Sequence, residues 1–192
     1  MIKQYNGAKA ERRSSRDPLP AGGYVAKILD AKVQTYTFGD MLVLSFDIAE
    51  GEHKDFFKKD YAANQNEDKK WRGTFRISIP KDDGSEKDAW SKAAFNDMIA
   101  VFEADSGFHW DWDEMKLKGR TVGVLFRNKE WEWEGRQGWT TECCALTTAT
   151  EIRNGDFKQP KDKPLKKEES TTATSTGFKS FEADEEDGEL PF

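Results

Sequence analysis

Four segments of the sequence alternate apolar and polar residues with a period of two, and this alternation constrains the fold more than any other feature. In the clearest segment, 41–50, apolar residues occupy every second position, at Leu42, Leu44, Phe46 and Ile48. Successive side chains of a β-strand point to opposite faces of a sheet, so this spacing is typical of strands with one buried face. The pattern predicts strands over 24–34, 41–50, 71–79 and 121–129. A turn is predicted at 135–138, followed by a fifth strand over 139–152.

One segment has the spacing of an amphipathic helix. Its apolar residues recur every three or four positions, at Trp90, Ala94, Met98 and Val101, which places them on one helix face. Ser85 and Asp88 are candidate N-caps. We therefore predict the main helix over 89–104, and a shorter helix over 53–64.

The order strand, strand, strand, helix, strand, strand is that of the OB-fold, a five-stranded, partly open β-barrel that binds oligonucleotides. We predict an all-β chain with this barrel over 19–153 and its main helix between the third and fourth strands. Element order alone does not separate an OB-fold from other small barrels. A basic arm is predicted at 1–18, a disordered linker at 154–181 and an acidic tip at 182–192.

The last eleven residues, 182–192, combine acidic charge with an apolar end. They contain six acidic residues and no basic one, and they finish on Leu190, Pro191 and Phe192. Runs of like charge are usually solvated tails, but apolar side chains at a flexible end suit insertion into a pocket of a partner protein. Proline limits the entropy lost on docking, and basic residues of a partner can bind the acidic run and the α-carboxylate.

The motif Asp184-Glu-Glu-Asp-Gly-Glu-Leu-Pro-Phe192 resembles the C-terminal tip of bacterial and phage single-stranded-DNA-binding proteins, with Glu189-Leu190 where that family usually has Asp-Ile. The segment 19–28 looks like the start of prophage-type members. The resemblance implies a protein that coats single-stranded DNA during replication, recombination or repair, and that forms a homo-oligomer. It also implies that replication and recombination proteins dock on the tip, through Asp184, Glu185, Glu186, Asp187, Glu189, Leu190, Pro191 and Phe192.

Charge is distributed unevenly along the chain. Removing the six acidic residues of 182–192 from the total of 36 leaves 30, against 30 basic residues, so the net charge of −6 resides in the tip. The arm 1–16 is basic, with five cations against Glu11. Domains that bind nucleic acid are usually distinctly basic, so a neutral body needs local clusters of cations to bind phosphate.

No apolar run has the length of a transmembrane helix or a signal peptide, which predicts a cytoplasmic protein without membrane contact. Cys143 and Cys144 are adjacent in a predicted strand and therefore point to opposite faces. That arrangement is a poor disulfide pair and lacks metal-ligand spacing. We predict two reduced thiols.

Binding of a single strand without sequence preference requires cations along the phosphates and aromatic faces for the bases. Three clusters offer both: the turn between the first two strands, the third strand, and the hairpin between the last two. The predicted nucleic-acid site consists of Tyr36, Phe38, Arg72, Arg76, Arg127, Lys129, Trp131, Trp133 and Arg136.

Other aromatic residues have a simpler explanation. Trp71, Phe75 and Phe126 follow the apolar faces of their strands, so we assign them to the core. Trp110 and Trp112 are interpreted as part of a capping or packing segment.

Trp131 and Trp133 extend beyond the strand pattern, and stacking on bases competes evenly with packing as their role. Their neighbours Glu130, Glu132 and Glu134 argue against stacking, since carboxylates repel phosphate.

No motif for nucleophilic catalysis or phosphate cradling is present, so neither enzymatic activity nor a cofactor is predicted. His109, Asp111 and Asp113 are the one candidate metal cluster, and their spacing specifies no metal geometry. Two alternatives stay open. The chain is a metal-dependent nuclease that holds Mg²⁺ through Asp111, Asp113 and Glu114, or it is an adaptor whose barrel binds no nucleic acid.

Overall fold

The computed structural model describes residues 18–104 and 107–165. Its strands are β1 (Gly22–Tyr36), β2 (Gly39–Ile48), β3 (Thr74–Ser78), β4 (Thr121–Trp133) and β5 (Arg136–Thr147). Its helices are α1 (Phe56–Ala63), α2 (Glu86–Ala104) and α3 (Ala149–Asn154), with a 3₁₀ helix at Glu114–Leu117. The predicted arm up to residue 17, the linker from residue 166 and the whole acidic tip lie outside the described residues.

All five strands form one antiparallel sheet in the order β3-β2-β1-β4-β5. β1 is central: it pairs with β2 over residues 26–36 and with β4 over residues 22–27. The sheet is open, and its edge strands β3 and β5 contact each other. The all-β prediction and the position of the main helix, between β3 and β4, are confirmed.

The core lies on the face of the sheet predicted from the alternation in β2. Leu42, Leu44, Phe46 and Ile48 are each at most 1% exposed. They pack with Ile28 of β1, with Val122, Val124 and Phe126 of β4, and with Phe95, Met98 and Phe102 of α2. Burying each such side chain contributes roughly 1.5–3 kcal/mol, so this cluster supplies the main driving force for the sheet to fold onto α2.

The main helix begins three residues earlier than predicted, and Ser85 caps it, since its Oγ accepts the N–H of Asp88 at 3.1 Å. The predicted apolar face is wrong for Trp90 and Ala94. Both side chains are exposed, and Trp90 is 68% exposed. The buried stripe of the helix consists instead of Phe95, Met98 and Phe102. Five residues correspond to about 1.4 helical turns, so Trp90 and Phe95 cannot share a face.

The predicted turn at 135–138 is also wrong. Glu134 and Gly135 form a two-residue turn with φ of 48° and 74°, both positive as in a type I′ hairpin. β4 therefore extends to Trp133, and β5 begins at Arg136. At its other end β5 stops at Thr147, and α3 occupies the residues where the strand was predicted to continue.

The second face of the sheet is covered near α3. A Cβ at Gly123 would lie 2.6 Å from Ile152 and 2.7 Å from the carbonyl oxygen of Thr148, so glycine allows α3 to approach the backbone of β4. Residues 156–165, predicted as part of the linker, run beside β4. There the Lys163 N–H donates to Asn128 (2.8 Å), and the Glu130 N–H donates to Lys163 (2.9 Å).

None of the helices in the described ranges is long and apolar enough to cross a membrane.

Candidate nucleic-acid interface

The β4–β5 hairpin brings five of the nine predicted site residues together. Its register pairs Arg127 with Glu142, Lys129 with Thr140, Trp131 with Gly138 and Trp133 with Arg136. Alternate residues of a strand share a face, as do directly paired residues of neighbouring strands. We call the surface formed by Arg127, Lys129, Trp131, Trp133 and Arg136 the hairpin face.

The same alternation separates these residues from two of the neighbouring carboxylates. Glu130 and Glu132 lie on the opposite face, where they pair with Trp139 and Gln137. The carboxylate of Glu130 accepts the N–H of Leu165 at 3.0 Å, and that of Glu132 accepts the side-chain amide of Gln137 at 3.0 Å. The carboxylates of Glu130 and Glu132 therefore do not repel phosphate from the face that carries Trp131 and Trp133.

Two exposed indoles extend along the hairpin face. Trp131 is 39% exposed and Trp133 is 45% exposed. The indole of Trp131 lies over Gly138: a Cβ added there would be 2.9–3.1 Å from three atoms of the ring. Glycine thus leaves room for Trp131 to rest across the neighbouring strand, which holds a large aromatic surface at the face without burying it.

Glu142 balances the cations at the base of the hairpin face. Its Oε1 accepts the Arg127 guanidinium (Nε at 2.9 Å, Nη2 at 2.8 Å), and its Oε2 lies 3.1 Å from Lys129 Nζ. Burial opposes ionisation of Glu142, but the hydrogen bond from Arg127 and the charge of Lys129 together lower its pKa. Glu142 is therefore ionised at neutral pH and offsets part of the positive charge that phosphate would meet.

The β1–β2 turn carries the second predicted cluster. The rings of Tyr36 and Phe38 stack on each other, with centroids 5.1 Å apart and planes 10° apart, and Phe38 is 47% exposed. Lys81 approaches this turn, since its Cε lies 3.0 Å from the position of a Cβ on Gly39. Sequence reasoning missed Lys81, which follows β3 and carries no local signal.

The third cluster is less compact than predicted. β3 is shorter than the predicted 71–79, so Arg72 lies in the preceding loop, with Nη1 3.7 Å from Oδ2 of Asp60. Arg76 is exposed in β3 opposite Val43. These two arginines do not share one strand.

The aromatic residues assigned to the core behave as predicted. Phe126 is 4% exposed, and Trp71 and Phe75 pack partly buried against the core. The indole N–H of Trp71 donates to the carbonyls of Phe46 (3.0 Å) and Gly73 (3.1 Å).

The segment 109–114 uses its polar groups for local structure. Asp111 pairs with Lys116, Asp113 accepts the N–H of Met115 at 3.0 Å, and His109 Nδ1 lies 2.9 Å from the carboxylate of Glu103. Within residues 18–104 and 107–165, no group of three or more His, Cys, Asp or Glu side chains is arranged to hold a metal ion.

Cys143 and Cys144 are free thiols. Burial raises the pKa of both, which keeps them protonated and unreactive at neutral pH.

No protein-family model matches the chain, and no curated protein matches it. The described geometry therefore carries the functional argument. The β4–β5 hairpin presents cations and exposed indoles on one face, and the carboxylate of Glu142 offsets part of their positive charge. The β1–β2 hairpin adds the stacked pair Tyr36 and Phe38.

Proposed function

We propose that this protein binds single-stranded DNA without sequence preference, through the hairpin face of an OB-fold barrel. The observation that supports this most is the register of β4 and β5, which gathers Arg127, Lys129, Trp131, Trp133 and Arg136 and separates them from Glu130 and Glu132. Cations and aromatic rings on one accessible surface are what sequence-independent strand binding requires.

The strand order supports the barrel assignment. β1, β2 and β3 form a meander, β4 returns to β1, and β5 follows β4, with the two sheet edges in contact. OB-folds bind oligonucleotides through the face of strands 2 and 3 and through the loops joining strands 1–2 and 4–5. The predicted site residues fall at the β1–β2 turn, on or beside β3, and on the β4–β5 hairpin.

On this proposal the two kinds of side chain have separate roles. Arg127, Lys129 and Arg136 bind phosphates, so affinity weakens as salt rises. Trp131 and Trp133 stack on bases, at roughly 1–3 kcal/mol per base. Every base has an aromatic face, which explains binding without sequence preference.

The wider role rests on the sequence. We propose that the protein coats strands during replication, recombination or repair of phage or prophage DNA. Its acidic tip, 182–192, would recruit partner proteins by inserting Phe192 into an apolar pocket, while the acidic residues steer association. Assembly as a homo-oligomer belongs to the same proposal.

The two alternatives differ in their support. For the nuclease, Mg²⁺ would have to compete with the contacts that Asp111 makes with Lys116 and Asp113 makes with the N–H of Met115. Strand cleavage with added Mg²⁺, lost on chelation, would support this alternative. The adaptor requires only that the barrel bind no nucleic acid, so the test of strand binding also tests it.

The proposal is tested by titrating intrinsic tryptophan fluorescence with oligo-dT at low and high salt, with a duplex of equal length as competitor. We expect quenching that weakens with salt and resists the duplex. Trp131→Phe should reduce the quenching, whereas Trp139→Phe, on the opposite face and 52% exposed, should leave the affinity unchanged. No quenching, together with no mobility shift at low salt, would leave the adaptor as the better description.

A further inference from the structure

A cavity of about 530 Å³ opens between α2, the β1–β2 hairpin and residues 110–114. Its walls include Leu42, Ile79, Phe95 and Trp112. We propose that this cleft binds one unstacked nucleobase, with Trp112 as the ring on which it stacks. The proposal rests on the proposed strand binding and adds a base-binding site outside the hairpin face.

Trp110 and Trp112 have opposite environments although they are two residues apart. Trp110 is 5% exposed, and its indole N–H donates to the Asp113 carbonyl at 2.8 Å. Trp112 is 67% exposed. The centroid of its ring lies 5.3 Å from that of Trp110 and 6.3 Å from that of Phe95. The ring planes of Trp112 and Phe95 differ by only 7°. Trp112 thus extends the aromatic wall of the core out to the mouth of the cleft.

The backbone of Trp112 holds this position in a conformation that large side chains rarely adopt. Its φ is 69°, in the left-handed region where a bulky residue is an outlier. Such conformations persist only where the surrounding structure imposes them, and they concentrate at ligand sites. Here the conformation coincides with an exposed indole and a cavity large enough for a small ligand.

The polar groups of the cleft select an uncharged ligand. Among the described residues that line it, Lys92 is the only cation, and its Nζ is already held by Asp82 (2.5 Å) and Asp88 (2.8 Å). The carboxylates of Asp82 and Glu114 disfavour phosphate. Asn96 adds a side-chain amide, which both donates and accepts hydrogen bonds. An apolar, aromatic cleft with an amide at its edge matches a nucleobase, whose phosphates would remain outside.

The cleft lies close to a predicted strand-binding cluster. Ile79 lines both this cleft and a smaller cavity of about 110 Å³ whose wall includes Phe38. Because the two cavities adjoin at Ile79, our proposal places the next base of a strand that crosses the stacked Tyr36–Phe38 pair in the cleft.

The direct test uses free nucleosides, which carry no phosphate. The full chain, labelled with ¹⁵N, is titrated with thymidine and with adenosine to millimolar concentration while the tryptophan indole N–H resonances are followed by NMR. We expect the Trp112 resonance, assigned with Trp112→Phe, to shift with saturation. Trp90, equally exposed on α2 at 68% but not a lining residue, should not shift. An unmoved Trp112 resonance overturns the inference, whatever oligonucleotides do.

The second test separates this inference from strand binding itself. Trp112→Gly removes the ring and suits the positive φ, so we expect it to fold and to bind oligo-dT about tenfold more weakly, as for the loss of one stacked base. Glycine at position 90 would destabilise α2, so the control is Trp90→Ala. We expect this variant to bind oligo-dT as tightly as wild type. Equal affinity of Trp112→Gly and wild type overturns the cleft and leaves the hairpin face standing. A Trp112 shift with nucleoside, in a wild type that binds no oligonucleotide, supports the cleft and overturns strand binding.

Discussion

Trp131 lies over Gly138 of the neighbouring strand, with three atoms of its indole within 3.1 Å of the place where a Cβ would stand. A Gly138→Val substitution should therefore displace the indole from the hairpin face. We expect oligo-dT affinity to fall several-fold, approaching that of Trp131→Ala, because one stacking surface is lost. Fluorescence titration measures this effect. If Gly138→Val and Trp131→Ala reduce the affinity independently when combined, Gly138 does not act through the tryptophan.

Glu142 should weaken DNA binding in the wild-type protein. It holds Arg127 and Lys129 through both carboxylate oxygens, so Glu142→Gln releases two cations toward phosphate. We expect affinity for oligo-dT to rise several-fold, with a steeper dependence on salt because more counterions are displaced.

The matched control for Glu142 is Glu132→Gln, which changes the net charge equally but lies on the opposite face. Its affinity and salt dependence should stay near those of wild type. Equal gains in the two variants would mean that overall charge governs binding, and would remove the specific role of Glu142.

Local patterns predicted the strands because alternation is a property of neighbouring residues. They did not predict the register of the last hairpin, on which the candidate site depends. Gly135 and Gly138 both signal a turn, and the sequence Glu134-Gly135 is a weaker type I′ signal than Asn-Gly or Asp-Gly. Only the structure shows that Gly138 serves as a space for Trp131 rather than as part of the turn. Glu142 stayed unrecognised for the same reason, since it meets Arg127 only in this register.

Two further features, helix α3 and the exposed position of Trp112, were not predicted from the sequence, for different physical reasons. The six-residue helix α3 is too short for periodicity to reveal, although its capping box, Thr148 with Glu151, is a readable signal. The outward position of Trp112 depends on a positive φ, which no pattern of apolar residues encodes. Burial of its neighbour Trp110, in contrast, agrees with the packing role predicted for the segment.

Asp47 should be important for stability. It lies in β2, and its carboxylate caps the first turn of helix α1. It is 6% exposed, and its carboxylate accepts the N–H groups of Phe57 (2.9 Å) and Lys58 (3.1 Å) in the first turn of α1. Asp47→Ala leaves the buried N–H of Phe57 without this partner, at about 1–3 kcal/mol of unfolding free energy. Urea denaturation measures the loss.

Asp55 provides the comparison for Asp47. It occupies the N-cap position of α1 but makes no side-chain capping bond, and asparagine tolerates its positive φ. Asp55→Asn should change stability by a few tenths of a kcal/mol at most. A loss as large as that of Asp47→Ala would show that the negative charge near α1, not the hydrogen bonds of Asp47, stabilises the helix.

The Asp88–Lys92 pair should give stability a characteristic dependence on pH. The hydrogen bond from Lys92 lowers the pKa of Asp88, burial opposes this, and the N–H of Asp82 adds to the lowering. A carboxyl group whose pKa is lower in the folded state stabilises the fold above its unfolded pKa, about 3.9, and loses this contribution as pH falls through the folded value. The stability difference between wild type and Asp88→Asn should therefore be constant from pH 7 to 5 and shrink below about pH 4. A difference that does not shrink at acidic pH would contradict this role of the Asp88 carboxylate.

Removal of residues 182–192 should separate DNA binding from partner docking. These residues carry six negative charges, which compete with phosphate for the cations of the hairpin face, so the truncated chain should bind oligo-dT as well as wild type or better at low salt. Docking of replication or recombination proteins should be lost, and Phe192→Ala, which keeps every charge, should lose docking without changing DNA affinity. Pull-down with purified partner proteins and oligo-dT titration measure the two activities side by side. If truncation abolishes DNA binding instead, the tip belongs to the strand-binding site and the proposed division of roles is wrong.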